Sequence, residues 1–339
     1  MGEPLRQDPL KVRIGSLGAL LIGLVSFCYL VQFTTRKALL TSLAALLFVS
    51  DTLLAKSSTL LFLDSTLVAF TLLAILAALV ASTRVSTKIS LGWATLAGLF
   101  CGIALGTKWS GVSALIVCYG ILAAKTVRGT QCWKTRALGG LLCTAATAVS
   151  YFGGWWIHFH LTSAGGDEEP IRQISTSIAD YLIRMHQLYY RSHIITGEFS
   201  PHPSSSPWWM WPIGLKPIIL GRHNGEEILL EANRPLWTLG SFAILWLAGR
   251  VAVMRRRGCL NRLEAIGLFG WAAFYLPIIF TSRWLFMYSY LPAAVFALIG
   301  LVGILDRTVS QETIQAAALS QRKWLMALGV AALIIAGVF

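Results

Sequence analysis

The sequence predicts an all-α polytopic membrane protein, a transmembrane helical bundle of about ten spans, and three observations carry the prediction. Of 339 residues, 56% are hydrophobic and 13% charged, where a soluble domain holds about 25% charged residues; the mean hydropathy is +0.67. The apolar residues gather into runs close to the roughly 17 to 25 residues that a helix needs to cross a bilayer. The basic surplus, a formal net charge of +13, is scattered through short loops between those runs. That is the pattern of membrane topology and not of a nucleic-acid footprint.

In chain order the apolar runs lie near 14–33, 38–55, 58–82, 90–107, 109–124, 137–159, 235–254, 263–281, 284–305 and 324–339. The stretch 90–124 as one helix would be about 50 Å long, well beyond a hydrocarbon core of about 30 Å. It is interrupted at Thr107-Lys108-Trp109-Ser110-Gly111, which predicts two short spans joined by a tight turn. Thirteen tryptophans suit anchors at two interfaces. Cys28, Cys101, Cys118 and Cys143 lie in apolar runs and Cys132 and Cys259 in basic loops. None has CxxC spacing, so neither a disulfide framework nor a zinc site is expected.

Charge then orients the spans. With the loop at 125–136 inside, alternation collects sixteen basic residues there against three acidic ones, Glu264, Asp306 and Glu312; the other side holds twelve of each. The balance depends on splitting 90–124 in two, because a single crossing puts Arg36-Lys37 and Arg84–Lys88 outside. Arg13, Lys56, Asp64, Lys108, Arg283 and the long polar segment then share the outer face. This divides the chain into N-terminal spans (1–159), an outer loop (160–234) and C-terminal spans (235–339). Within the loop, Ile174, Ile178, Tyr181, Leu182, Met185, Leu188 and Tyr189 recur near a 3.6-residue period, which predicts one amphipathic helix at the interface from Ile171 onward. After it comes SPHPSSSPWWMWP (200–212), a composition that suits neither helix nor strand.

Four local patterns invite chemistry, each beside a plainer reading. In LLFLDSTLVAF (60–70), Asp64 is either a helix cap or a functional carboxylate at a span end. In LGTKWSG (105–111), Lys108 with Trp109 is an interface anchor or a cation facing a phosphate. In TSRWLFMYSYLP (281–292), Arg283 has a guanidinium fork suited to two phosphate oxygens, and Tyr288 and Tyr290 follow; the alternative is an anchor with an aromatic belt. The proline-rich stretch alone is a loop leading into the next span.

Taken together, LLFLDSTLVAFTLLAIL, GLFCGIALGTKWSGVSALI, SPHPSSSPWWMWPIGLKPI and FTSRWLFMYSYLPA resemble successive signature segments of the protein O-mannosyltransferase family, over about Pro9 to Leu301. The resemblance implies a GT-C fold and transfer of mannose from a polyprenyl (dolichyl) phosphate to Ser or Thr of secreted proteins. It implies a multi-pass protein of the bacterial cell membrane, or of the endoplasmic reticulum membrane in a eukaryote, with the active face outer or lumenal. The outer loop is too short for the β-trefoil (MIR) domain of the eukaryotic enzymes, so the match is closer to the bacterial type. No cofactor is implied, the lipid-linked sugar being the substrate, and no carboxylate cluster has metal-ligand spacing.

By the same resemblance Arg283, Arg13 and Lys108 stand on the phosphate side, with Trp109, Tyr288 and Tyr290 beside them. His202, Ser206, Pro207 and Trp208 match the loop motif by the active site, and Asp64 matches a family aspartate with an expected supporting role. Two departures stand out. The family's catalytic Asp-Glu pair lies between its first two spans, whereas this sequence begins after that point. Glu3 and Asp8 do not sit in that motif, the catalytic base is therefore unassigned, and an N-terminal truncation is expected. Ser289 stands where the family often has histidine. An inactive homologue serving as a lipid-binding or partner subunit stays open as an alternative. A transporter fits less well, since its polar residues belong near the midplane and no internal repeat is seen.

Overall fold

A computed structural model describes residues 9–59, 63–84, 86–124, 133–161, 168–195, 203–223, 226–254, 260–281 and 285–315. Helix α1 (Pro9–Thr35) is followed by α2 (Ala38–Val49), α3 (Thr52–Thr59), α4 (Asp64–Thr83), α5 (Thr87–Thr107), α6 (Val112–Ala123) and α7 (Trp133–Leu161). Helices α8 (Glu168–Ile174) and α9 (Ile178–Ile195) and a hairpin of β1 (Ile218–His223) and β2 (Glu226–Leu230) form the long polar segment. Helices α10 (Arg234–Met254), α11 (Arg262–Ile279) and α12 (Leu291–Gln315) complete the described chain. Among the described residues, seven helices are long and apolar enough to span a membrane. An eighth span is counted if α2 and α3, bent by 65°, are taken together, and Trp109–Ala123 is a shorter apolar helix. The run 324–339 lies outside the described residues.

The centre of the bundle is α4 and α12, whose apolar stretches are 72% and 78% buried, against 28% to 39% for the other spans. Those outer helices are apolar all round, with Leu21, Val149, Phe242 and Trp246 turned outward, as helices facing lipid are. Small residues set the closest contacts. A Cβ on Gly98 would lie 2.1 Å from the Cys143 carbonyl oxygen, so α5 and α7 touch backbone to backbone.

Local chemistry explains where helices break. The expected straight run over 38–55 bends because the Asp51 carboxylate accepts the Leu53 and Leu54 amides at 3.1 and 3.2 Å, starting a new helix. The freed Ser50 carbonyl accepts from Asn233 Nδ2 at 2.8 Å, and Asp51 Oδ2 accepts the Trp237 indole at 2.8 Å. The turn after α5 forms as expected. Lys108 is extended and a 3-10 turn at Trp109–Gly111 leads into α6. It folds back so closely that a Cβ on Gly111 would lie 2.4 Å from Ala104 C. The single amphipathic helix expected in the outer loop is two helices, because Ser177 Oγ caps the Asp180 amide at 3.2 Å and Asp180 accepts from Thr176 N–H at 3.1 Å. Its apolar face does pack: Tyr181 and Met185 are buried.

The loops segregate to two ends. At one, Lys37 pairs with Asp306 at 2.8 Å, and Arg307 forks onto the buried Glu264, with Nε–Oε1 at 2.7 Å. Glu264 also closes a capping box with Asn261 at the start of α11. At the other end, Asp64 meets Lys108. The charge count expected the first set on one side and the second on the other, and the pairs that form join residues expected on the same side.

Candidate functional site

At the second end, residues from α5, the turn after it, α7, α8, α9, α11 and the segment before α12 line a cleft of about 880 Å³. Lys108 lines it. The chain leaves α5 there in an extended conformation, and the ammonium reaches Asp64 Oδ1 at 2.9 Å and the Tyr288 ring, 4.8 Å from its centroid. Asp64 stands on the first turn of α4, one residue after the N-cap position at Leu63, and is almost wholly buried. Its carboxylate is the counter-ion of Lys108. Three residues from segments far apart in sequence meet at one point.

Beside Lys108, Trp109 begins an aromatic wall. It stacks on His186 at 5.9 Å and meets the edge of Tyr189 at 6.3 Å. Trp155 continues the wall, 6.2 Å from Tyr189 and 5.8 Å from His158. His186 Nδ1 donates to the Leu182 carbonyl, which leaves Nε2 to accept from Tyr151 O–H at 2.6 Å. The wall stands on α7 because that helix of 29 residues, about 44 Å long, exceeds the hydrocarbon thickness of about 30 Å.

The wall ends in a carboxylate. Glu168, at the start of α8, accepts from Tyr181 O–H at 2.6 Å and from His158 Nε2 at 3.0 Å. Burial pushes this carboxyl up, but the hydrogen bonds from Tyr181 and His158, with His158 and Arg172 nearby, outweigh it and hold the group below the usual range. Burial and the bond to Glu168 push the Tyr181 phenol up in turn. The cleft thus has a cationic end, an anionic end and an aromatic face between them. Among the described residues no group of three His, Cys, Asp or Glu is arranged to hold a metal.

The proline-rich stretch is described from residue 203, so His202 lies outside the described residues. The rest is latched in place. Ser206 N–H donates to the Leu285 carbonyl at 3.1 Å, and Ser206 Oγ accepts the Trp211 indole at 2.8 Å. Ser204 Oγ accepts the Ile219 amide at 3.0 Å, and Lys216 Nζ donates to the Ser205 carbonyl. Trp208 lends its carbonyl to Tyr275 O–H at 2.9 Å. A 3-10 turn at Trp208–Ile213 then closes on Gly214 at φ +63, a left-handed conformation that favours glycine. The loop is thereby stitched to Leu285, a residue of the cleft wall. Pro207 and Trp208 are exposed, while the Ser206 hydroxyl is committed to Trp211.

The remaining candidates divide. Tyr290 is wholly buried: its hydroxyl accepts from Trp271 Nε1 at 2.9 Å, and its ring packs on Trp237 and Tyr275. It holds the start of α12 from behind and does not line the cleft, which Ser289 does. Arg13 is exposed on α1, apart from the cleft lining, and Arg283 lies outside the described residues. Sequence reasoning missed Tyr151, Trp155, His158, Glu168, His186 and Tyr189. A usable signal existed in WWIHFH (155–160), a polar-aromatic end on an apolar run, followed six residues later by DEEP (167–170). It also missed the hairpin, although Asn224-Gly225 between ILGRH and EEILL is a strong two-residue hairpin signal.

Residues 9–163 match the family model described as dolichyl-phosphate-mannose-protein mannosyltransferase, and residues 180–339 match the C-terminal four TMM region of protein-O-mannosyltransferase. A polyprenol-phosphate-mannose–protein mannosyltransferase of Mycolicibacterium smegmatis is 23% identical over 233 residues, 58% of this chain and 44% of that protein. Dolichyl-phosphate-mannose–protein mannosyltransferase 5 of Saccharomyces cerevisiae is 30% identical over 118 residues, 31% of this chain and 16% of that protein. The chain spans less than half the length of these curated relatives. The solved S. cerevisiae protein O-mannosyltransferase Pmt1-Pmt2 complex, bound to the sugar donor, superposes with a TM-score of 0.76 at 12% identity. The match covers 99% of this chain and 78% of that one, and it is a likeness of fold.

Proposed function

Because the chain belongs to the protein O-mannosyltransferase family, we propose that it takes part in transfer of mannose from a polyprenyl-phosphate donor to Ser or Thr of a protein acceptor. The observation that carries this reading is the meeting of Asp64 and Tyr288 at Lys108, a residue of the cleft lining. In such a transfer the acceptor hydroxyl oxygen bonds to the anomeric carbon as that carbon's bond to the phosphate oxygen breaks. The hydroxyl proton passes to a base and the lipid phosphate leaves carrying the extra charge. Lys108, held by Asp64 and set over the Tyr288 ring, is suited to that charge, because a fixed cation stabilises it without reorganising. Arg283 is the further cation of this reading, Arg13 standing apart from the cleft lining, and no residue of this chain is assigned the base. Trp109 continues the donor side. Ser206, Pro207 and Trp208 belong to the stiff loop beside Leu285 on the cleft wall, His202 of the same sequence motif is assigned to the donor side by the reading alone, and Tyr290 supports Tyr288 from the core. The basic bias of the opposite loops supports a cleft on the outer or lumenal face of a cell or endoplasmic reticulum membrane.

The test is mannose transfer from polyprenyl-phosphate mannose to a Ser/Thr peptide, in membranes carrying the full-length protein. Lys108→Ala and Arg283→Ala are each expected to slow it roughly a hundredfold, as loss of one charge-stabilising donor does. Unchanged transfer in Lys108→Ala would sink the phosphate reading.

A further inference from the structure

We infer that the far end of the cleft, where Trp155 and Tyr189 stand beside Glu168, is a hexose-binding subsite. Recognition of a pyranose needs two things: a flat aromatic face for the ring's C–H surface, and an oriented acceptor for its hydroxyls. Both are present and joined. The wall runs without a gap from Trp109 through Tyr189 and Trp155 to His158, by ring contacts of 5.8 to 6.3 Å. Tyr189 and Trp155 also line the cleft. Glu168 lines the same cleft and is fixed from one side. Tyr181 donates to Oε1, and His158 bridges Oε1 at 3.0 Å and Oε2 at 3.2 Å.

A carboxylate offers about four lone-pair sites, so capacity remains on Oε2 for hydroxyl donors arriving from the cleft. An ionised, pre-oriented acceptor gives stronger bonds than a neutral one and loses little entropy on binding. The carboxylate repels a phosphate, whereas Lys108 at the other end attracts one. The cleft therefore has a polarity that seats a glycosyl phosphate in one direction only: phosphate at Lys108, sugar ring toward Glu168. This inference rests on the proposed transfer for the identity of the donor, but the subsite can be tested without turnover.

The full-length protein in lipid nanodiscs is titrated with mannose 1-phosphate and, separately, inorganic phosphate, by saturation-transfer NMR and intrinsic fluorescence. Glu168→Gln should weaken mannose 1-phosphate about tenfold and leave inorganic phosphate unchanged, while Lys108→Ala weakens both. Trp155→Leu, which leaves the Glu168 hydrogen bonds in place, should repeat the selective loss and guards against a folding defect in Glu168→Gln. Equal effects on both ligands in Glu168→Gln and Trp155→Leu overturn the subsite. So does a Ser/Thr peptide that displaces nothing at Lys108 yet loses binding in both variants, which would give this end to the acceptor. Selective hexose binding without any transfer overturns the proposed function and leaves the subsite standing; transfer with normal donor binding in Glu168→Gln does the reverse.

Discussion

Replacing Lys108 by methionine separates its structural duty from its proposed chemical one. The ammonium lies 2.9 Å from Asp64 Oδ1, with the aspartate side chain 3% exposed and the lysine side chain 28% exposed. At an effective dielectric constant near 20 the gross attraction is about 6 kcal/mol, most of it offset by desolvation of the two charges. Removing one partner leaves the other buried and unpaired, which costs about 3 to 5 kcal/mol; partial exposure of Lys108 places this site near 3. Lys108→Met should therefore unfold about 3 kcal/mol more easily in a denaturant titration of the detergent-solubilised protein. Asp64→Asn combined with Lys108→Met removes both charges and should recover most of that loss. The same double variant should not recover mannose transfer, since the cation is still absent. If it is no more stable than Lys108→Met alone, the pair does not anchor α4 to the turn after α5. If transfer returns with stability, Lys108 acts on the fold alone.

Three further outcomes follow from the packing and electrostatics. Gly267→Ala places a Cβ 2.4 Å from Gly300 N and 2.5 Å from its Cα. Neither backbone atom can yield without separating α11 from α12, so a loss of about 3 kcal/mol is expected in thermal melts. Ser206→Ala strands the indole N–H of the buried Trp211 at a cost of about 1 to 3 kcal/mol; limited proteolysis should show cleavage near residues 203–216 rising before the helices open. Glu168 has a lowered carboxyl, with burial opposed and outweighed by Tyr181 and His158. Its stabilising contribution is thus present above the ordinary glutamate value of about 4.3 and fades as pH falls through the lower folded value. The melting gap between the native protein and Glu168→Gln should hold at pH 6 and close below about pH 4; a gap that widens on acidification contradicts the assignment.

Much of this architecture is a local property of the chain. A run of apolar residues must satisfy its own backbone in lipid and can do so only as a helix, so the spans, the break at Lys108 and the pairing of loops at either end are readable from composition and charge. The bend at Asp51 is not. A carboxylate in an apolar run caps a new helix only because Trp237 and Asn233, nearly two hundred residues away, satisfy the groups that the break exposes. Asp64 likewise reads equally as a cap or as a functional carboxylate, and only the arrival of Lys108 from the turn after α5 gives it a partner. Tyr290, two residues beyond Tyr288, reads as its equal. The 3-10 turn at Met287–Tyr290 sends Tyr288 to Lys108 and Tyr290 into the core.

By itself, then, the sequence determined a helical membrane protein, the end of the bundle that gathers its polar residues, and the family its signature segments resemble. Hydropathy, charge bias and motif order depend on neighbours along the chain. Only the tertiary structure decided that Lys108 has a carboxylate and an aromatic ring as its partners, and that the end of α7 builds a wall leading to Glu168. Those facts depend on which helix ends lie side by side, and that is set by close packing between small residues on different helices, a relation that no local stretch of sequence contains.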